Sequence, residues 1–341
     1  MTLSYRQRRD YKQLQKLTES SNTLTVLISV VIPLYNKEQS AARAIRSVLS
    51  QCYPHFELIV VDDGSTDGSL EVAQRFSEPR MTVLTQSNKG VASARNRGIS
   101  VAKGEYICFL DADDEYSPGF LNEIAKLIES KPEAALFCCR YKEVDEFGRP
   151  FLGNSDLPET FFGEVTDFFL HYKHSRSLMC SSNICARRTF IDKVGGFPDG
   201  QRIGEDIYLW LRIALLGKVM FSGNILSTVY RNAENRTISS GLRAIPYHTR
   251  YFLTEKAWRQ NQSDKTIYQL MSFIFHNGLI NVCGALMVNN KRVAAEFASL
   301  AQPHHPMLAI TVKILALLPA SVFLLGKRLR NMLTIRSIDG S

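Results

Sequence analysis

Periodic structure begins at Leu24. Residues 24–32 (LTVLISVVI) form a nearly unbroken apolar, β-branched run ended by Pro33. That is the pattern of a strand buried on both faces, as in a parallel sheet. From Lys37 to Ser50 the apolar positions shift to helical spacing, at Ala41, Ala44, Ile45, Val48 and Leu49. The alternation then repeats. Strands are predicted over 56–61, 81–85, 105–110 and 134–141, and helices over 69–76, 91–102 and 118–130, with a turn at 62–68. Strands alternating with short helices predict right-handed βαβ units. Beyond residue 150 the spacing predicts a helix over 161–171, a strand over 182–186, a helix over 188–194 and an amphipathic helix over 204–216. Two strands follow, over 218–222 and 226–230, and helices from 241 onward. The expected organisation is a polar, basic arm (1–23) without the apolar core of a signal peptide, an α/β domain (24–235) and a helical extension (236–341).

Composition narrows this only a little. The 341 residues are 45% hydrophobic and 22% charged, which is globular. The seven cysteines are scattered with no C-x-x-C pair, so neither a zinc ribbon nor a disulfide scaffold is indicated and a reducing compartment is expected. The net charge of +8 is more informative by position. Residues 1–23 carry +3 and residues 302–341 carry +4, which leaves +1 for the region between. Nucleic acid is not an expected partner, because no aromatic–basic interleaving or reading motif accompanies the charge.

The candidate chemistry lies in the loops. In an open parallel sheet, ligands bind beyond the carboxyl ends of the strands. Three clusters fall there: Pro33–Glu38, Asp62–Ser65 and Asp111–Asp114. Each alone is ordinary turn or capping chemistry; three on one sheet edge are not. Asp111 and Asp113, one residue apart, can turn toward one hard divalent cation such as Mg²⁺ or Mn²⁺. Lys89, Arg95 and Arg97 follow the third strand and could pair with phosphates. Neither a P-loop nor a G-x-G-x-x-G fingerprint is present. Gly204-Glu205-Asp206 opens the amphipathic helix. Its acids suit either a favourable first helical turn or a rigidly held general base, and spacing alone leaves both open.

The segments VVIPLYN (30–36), VVDDGSTD (60–67), Asn88-x-Gly90 with ARNxG (94–98), LDADD (110–114), and Gly204-Glu-Asp206 with LWLR (209–212) occur in that order. Over residues 24–232 the chain resembles glycosyltransferase family 2, the inverting enzymes of GT-A fold. The resemblance implies an α/β, GT-A type (nucleotide-diphospho-sugar transferase-like) fold with a mostly parallel central sheet flanked by helices, and here a helical C-terminal extension. It implies a nucleotide-sugar donor, most often a UDP-sugar, with Mn²⁺ or Mg²⁺ as cofactor. Pro33, Tyr35, Glu38 and Gly90 would line the donor site, Asp63 would accept from the base, and Arg95 would help hold the nucleotide. Asp111 would sit near ribose and metal, and Asp113 would ligate the metal. Asp206 would be the general base, with Glu205 as runner-up. Two other readings remain. A sugar-nucleotide nucleotidyltransferase would need a Gly-rich, Arg-containing loop after the first strand, which is absent; a non-catalytic glycan or nucleotide-sugar binding module has the intact acids against it. The Q-x-x-R-W motif of processive synthases is missing, so one sugar per encounter is expected, on a glycan or lipid-linked acceptor of surface polysaccharide synthesis.

The tail adds one expectation. Residues 307–325 are mostly apolar, interrupted by Lys313 and Pro319, and Lys327, Arg328 and Arg330 follow. This predicts an interface helix over 307–330 on an anionic membrane, and so a cytoplasmic protein held peripherally at the inner face; a helix packed on the catalytic domain and a membrane span are the alternatives.

Overall fold

The computed structural model describes residues 26–175, 178–234 and 244–323. The arm 1–23, residues 236–243 and the basic segment from Gly326 to Arg330 therefore lie outside the described residues. Among the described residues, ten strands form one sheet: β1 (Ile28–Leu34), β2 (Phe56–Asp62), β3 (Met81–Thr85), β4 (Tyr106–Phe109), β5 (Glu115–Tyr116), β6 (Leu136–Val144), β7 (Pro150–Leu152), β8 (Phe162–Glu164), β9 (Ile184–Arg187) and β10 (Val219–Tyr230). The order along the main path is β3-β2-β1-β4-β9-β6-β10-β5, with β7 on β6 and β8 on β10.

The first half is the expected parallel sheet. β1 pairs in parallel with β2 and β4, and β2 with β3. The second half is mixed: β6 and β10 run parallel, and antiparallel strands join the sheet around them. β9 enters antiparallel between β4 and β6, and β8 runs antiparallel along β10. The expected helix over 161–171 is divided for this reason. Phe162–Glu164 pairs with Met220–Ser222, and the helix forms only at α5 (Phe168–His174). An available sheet edge overrides local spacing. The two strands expected over 218–230 are one strand whose register shifts between Ser222 and Ser227.

The sheet is covered on both faces. Val30, Ile32, Val60 and Cys108 point to a core shared with α1 (Ala41–Leu49) and α4 (Phe120–Ser130). Val31, Val61, Ile107 and Phe109 point the other way, the period-2 alternation of strands. That second core holds α3 (Val91–Val101), α6 (Arg188–Val194) and α7 (Glu205–Ala214). α2 (Ser69–Gln74) covers β2. The same core continues without a break into α8 (Tyr247–Thr254), α9 (Asp264–Met287), α10 (Lys291–Ala301) and α11 (Pro306–Leu315). The extension thus shares its apolar interior with the sheet.

α9 is the one described helix long and apolar enough to cross a membrane, and 44% of its most apolar window is buried inside the fold. The expected continuous helix over 307–330 is interrupted: α11 ends at Leu315, and helical structure resumes only after Pro319. Proline at that position lacks the N–H that a continuing helix needs.

Candidate active site

The carboxyl ends of β1, β2 and β4 lie at one edge, with Leu34 opposite Asp62 in the register. The three clusters read from the sequence gather there. Asp63 is buried. Its Oδ1 accepts from Gln86 Nε2 (2.7 Å) and Lys89 N (2.9 Å), and its Oδ2 from Gly90 N (2.8 Å). The residue expected to receive a base also closes the turn that starts α3. Gly90 has φ +91°, with open space where a side chain would be.

Pro33 is buried in β1 and Tyr35 is exposed beside it. Glu38 is committed elsewhere: its Oε2 accepts from Gly68 N at 3.2 Å, tying the loop after β1 to the loop after β2. Lys89 and Arg97 are exposed. Of the three basic candidates only Arg95 turns inward. It is buried, donating through one terminal nitrogen to Asp111 Oδ1 (2.7 Å) and through the other to Glu205 Oε1 (3.0 Å). Burial opposes its charge, but Asp111, Glu205 and Asp206 outweigh that and hold the guanidinium protonated.

Asp111, Asp113 and Asp114 bring carboxylate oxygens within 4.8 Å of one another. They have different partners. Asp113 Oδ2 takes Lys37 Nζ at 2.8 Å. Asp114 is buried and accepts from Ser182 Oγ (2.5 Å) and Tyr230 N (3.0 Å). Burial, with Asp113 and Asp111 beside it, raises its pKa well above the ordinary carboxylate range. The buried, doubly engaged Asp114 is a support, whereas Asp111 and Asp113 keep oxygens toward the edge. An all-carboxylate donor set fits a hard divalent cation, and these two residues would hold it.

Glu205 and Asp206 form the first turn of α7 behind Gly204, whose φ is +76°. Trp210 fixes this helix against the sheet, with its ring 5.3 Å from Phe109 and 5.5 Å from Phe197. The two acids then diverge. Burial, and next the neighbouring Asp206, push the Glu205 carboxyl up to about 7, against the pull of Arg95. Asp206 is half-buried and accepts a 3.3 Å hydrogen bond from Ser181 Oγ. Asp206 is therefore the more accessible acid, and Glu205 is bound to Arg95.

Several residues at the site escaped sequence reasoning. β9 runs antiparallel to β4, with Cys185 opposite Cys108, so the residues just before it lie beside the carboxyl end of β4. Ser182 thereby accepts from Asp111 N (3.1 Å) while donating to Asp114. His248 of α8 is buried against Gly204 and facing Asn277, with no well-formed hydrogen bond at either ring nitrogen; burial pushes it down to about 4. None of these carries a local motif. A Ser-Ser-Asn run or a lone histidine has no spacing that announces a site.

Comparison with known proteins agrees with this geometry. Residues 29–194 match the family described as Glycosyl transferase family 2. Glycosyltransferase GlyG of Streptococcus pneumoniae serotype 4 is 40% identical over 126 residues, 36% of this chain and 42% of GlyG. The chain thus spans less than half of that relative. The putative teichuronic acid biosynthesis glycosyltransferase TuaG of Bacillus subtilis is 28% identical over 231 residues, 64% of this chain and 84% of TuaG. Relatives of the chain therefore include proteins named for polysaccharide biosynthesis. Among solved structures, S. aureus TarS 1–349 in complex with UDP-GlcNAc has a TM-score of 0.65 at 20% identity, covering 80% of this chain and 81% of that one. Mannosyltransferase PcManGT of Pyrobaculum calidifontis, in complex with GDP-Man and Mn²⁺, has a TM-score of 0.55 at 18% identity, covering 95% and 94%. The fold is GT-A-like, a mixed α/β sheet flanked by helices with a helical C-terminal region.

Proposed function

We propose that the chain is an inverting, metal-dependent glycosyltransferase that moves one sugar from a nucleotide-sugar to a hydroxyl of a glycan or lipid-linked acceptor in bacterial-type surface polysaccharide synthesis. One observation carries the reading. A single buried guanidinium, Arg95, joins Asp111 of the acidic cluster to Glu205, the neighbour of Asp206. A cation-binding edge and an accessible carboxylate are thereby held in one rigid unit.

The donor is a nucleoside diphosphate sugar, with UDP as the preferred carrier. The relatives' names and the ligands of TarS and PcManGT support this class. Pro33, Tyr35 and Asp63 border the nucleoside, and the open space at Gly90 leaves room for close approach. Asp113 and Asp111 would hold Mn²⁺ or Mg²⁺, which would neutralise charge on the departing diphosphate. Asp206 accepts the proton of the acceptor hydroxyl. That oxygen attacks the anomeric carbon opposite the nucleotide. The bond to the diphosphate oxygen breaks, and the configuration inverts. Arg95 stays between Asp111 and Glu205 and fixes their separation. The enzyme works peripherally at an anionic membrane surface, at the cytoplasmic face, reached through its apolar, basic C-terminal region.

The Asp206→Asn variant tests the assignment. Losing a general base costs about 10²–10⁴-fold in rate. Transfer from a panel of nucleotide sugars with Mn²⁺ should fall by that factor, while nucleoside diphosphate binding measured by calorimetry stays unchanged. Wild-type turnover by the variant would overturn Asp206 as the base.

A further inference from the structure

The cation-binding edge is already compensated by the chain's own side chains. Arg95 holds Asp111, and Lys37 Nζ lies 2.8 Å from Asp113 Oδ2. The Lys37 and Asp113 side chains are only 11% and 13% exposed, so this is not a solvent-screened surface pair. Lys37 also donates to the backbone carbonyl of Glu234, and Arg43 donates to the backbone carbonyl of Asp113 at 2.5 Å. The two cations differ in kind. Arg95 is a planar fork locked between two carboxylates, whereas Lys37 is a compact point charge on a flexible stem and can change partner.

We infer that Lys37 occupies the cation position of Asp113 and so makes metal binding depend on the donor. The inference rests on the site being the metal and nucleotide centre proposed above. A divalent ion arriving alone must displace the ammonium from Asp113 and then sit beside that positive charge in a shielded place, which is costly. An ion arriving with a nucleoside diphosphate brings phosphate oxygens to which the ammonium can turn. The two ligands then assist each other, and the coupling is reciprocal by linkage.

Calorimetric titration of the full chain with MnCl₂, with and without UDP and then GDP, tests this. Wild-type protein should bind Mn²⁺ about 5–150-fold more tightly once the nucleotide is present, the usual range for such coupling. Lys37→Gln should bind Mn²⁺ alone several-fold more tightly than wild type, and its gain from nucleotide should shrink. Lys37→Arg, which keeps the charge, should retain the wild-type pattern. Circular dichroism checks the fold of each variant, and if Lys37→Gln does not fold, the wild-type ratio and Lys37→Met decide. Equal Mn²⁺ affinity of wild type and the neutral variants without nucleotide overturns the role of Lys37, as does a wild type that gains nothing from nucleotide. Absence of Mn²⁺ binding in every form, even with nucleotide, overturns the metal-dependent reading as well, and is distinguishable because no variant then differs.

Discussion

At Arg95 one guanidinium serves carboxylates from two distant parts of the chain, Asp111 after β4 and Glu205 at the head of α7. The pair it makes with Glu205 has a consequence for stability. The Glu205 carboxyl stands at about 7 in the fold, above its ordinary 4.5, because burial and Asp206 outweigh Arg95. The folded chain therefore keeps a proton that the unfolded chain releases between those values. Its contribution to stability is fully present below about 4.5 and is lost as pH rises through about 7. Melting temperatures from pH 4.5 to 8.5 should fall more steeply for wild type than for Glu205→Gln across the approach to neutrality, and parallel curves would refute the assignment. The residue types of this site were legible in the sequence, since the acids and Arg95 stand in ordered motifs. Their partners were not. That Glu38 ties two loops together and that Lys37 faces Asp113 are set by side-chain directions that no linear spacing encodes.

Among the elements, α3 determines whether Arg95 arrives at all. The helix starts at Gly90, held by Asp63, and lies so close on β1 that a Cβ at Gly98 would stand 2.4 Å from Val31 Cγ1. Gly98→Ala should therefore lift the helix and destabilise the fold by about 1–3 kcal/mol, the usual cost of overpacking. Denaturant unfolding measures it. Adding Val31→Ala should restore part of the loss, giving a coupling of about 0.5–3 kcal/mol between the two sites. Strictly additive losses would show that the close approach is not the cause. The first half of the sheet was readable because its strands are short, apolar and separated by helices of the proper period. In the second half the strands over 134–141, 182–186 and 218–230 were readable too, but β8 and the directions of pairing were not. β8 forms because β10 offers an edge, and β9 reverses direction after a single short helical turn at Ser181–Asn183. Both are outcomes of non-local pairing. They matter functionally, since β9 brings Ser182 to Asp111 and Asp114.

For the whole molecule the question is how the uneven surface bears on the proposed membrane location. The sheet and the helical extension share one core, yet the end of that extension is only half covered. On α11, Ala309 and Val312 are buried, whereas Met307, Ile310 and Ile314 are 68%, 49% and 57% exposed, and Leu317 just beyond is 79% exposed. These four recur at helical spacing, a stripe rather than scattered side chains. Residues 302–341 carry +4, so apolar surface and positive charge come from the same stretch of sequence. An anionic bilayer suits both, with about 1 kcal/mol per basic side chain near the surface added to apolar insertion. The break before Pro319 limits how deep this stretch can lie, which favours contact along the interface over a crossing. Co-sedimentation should therefore show the full chain on vesicles containing phosphatidylglycerol, weaker binding to pure phosphatidylcholine, and release by salt. Replacing Ile310, Ile314 and Leu317 with Ser removes about 1 kcal/mol or more each of apolar transfer, and so should weaken vesicle binding about 100-fold. Transfer to a short soluble acceptor should be unaffected, because none of the three touches the acidic edge. If vesicle binding is unchanged, the stripe is not the contact surface; if binding is insensitive to lipid charge, the basic excess plays no part in placing the enzyme.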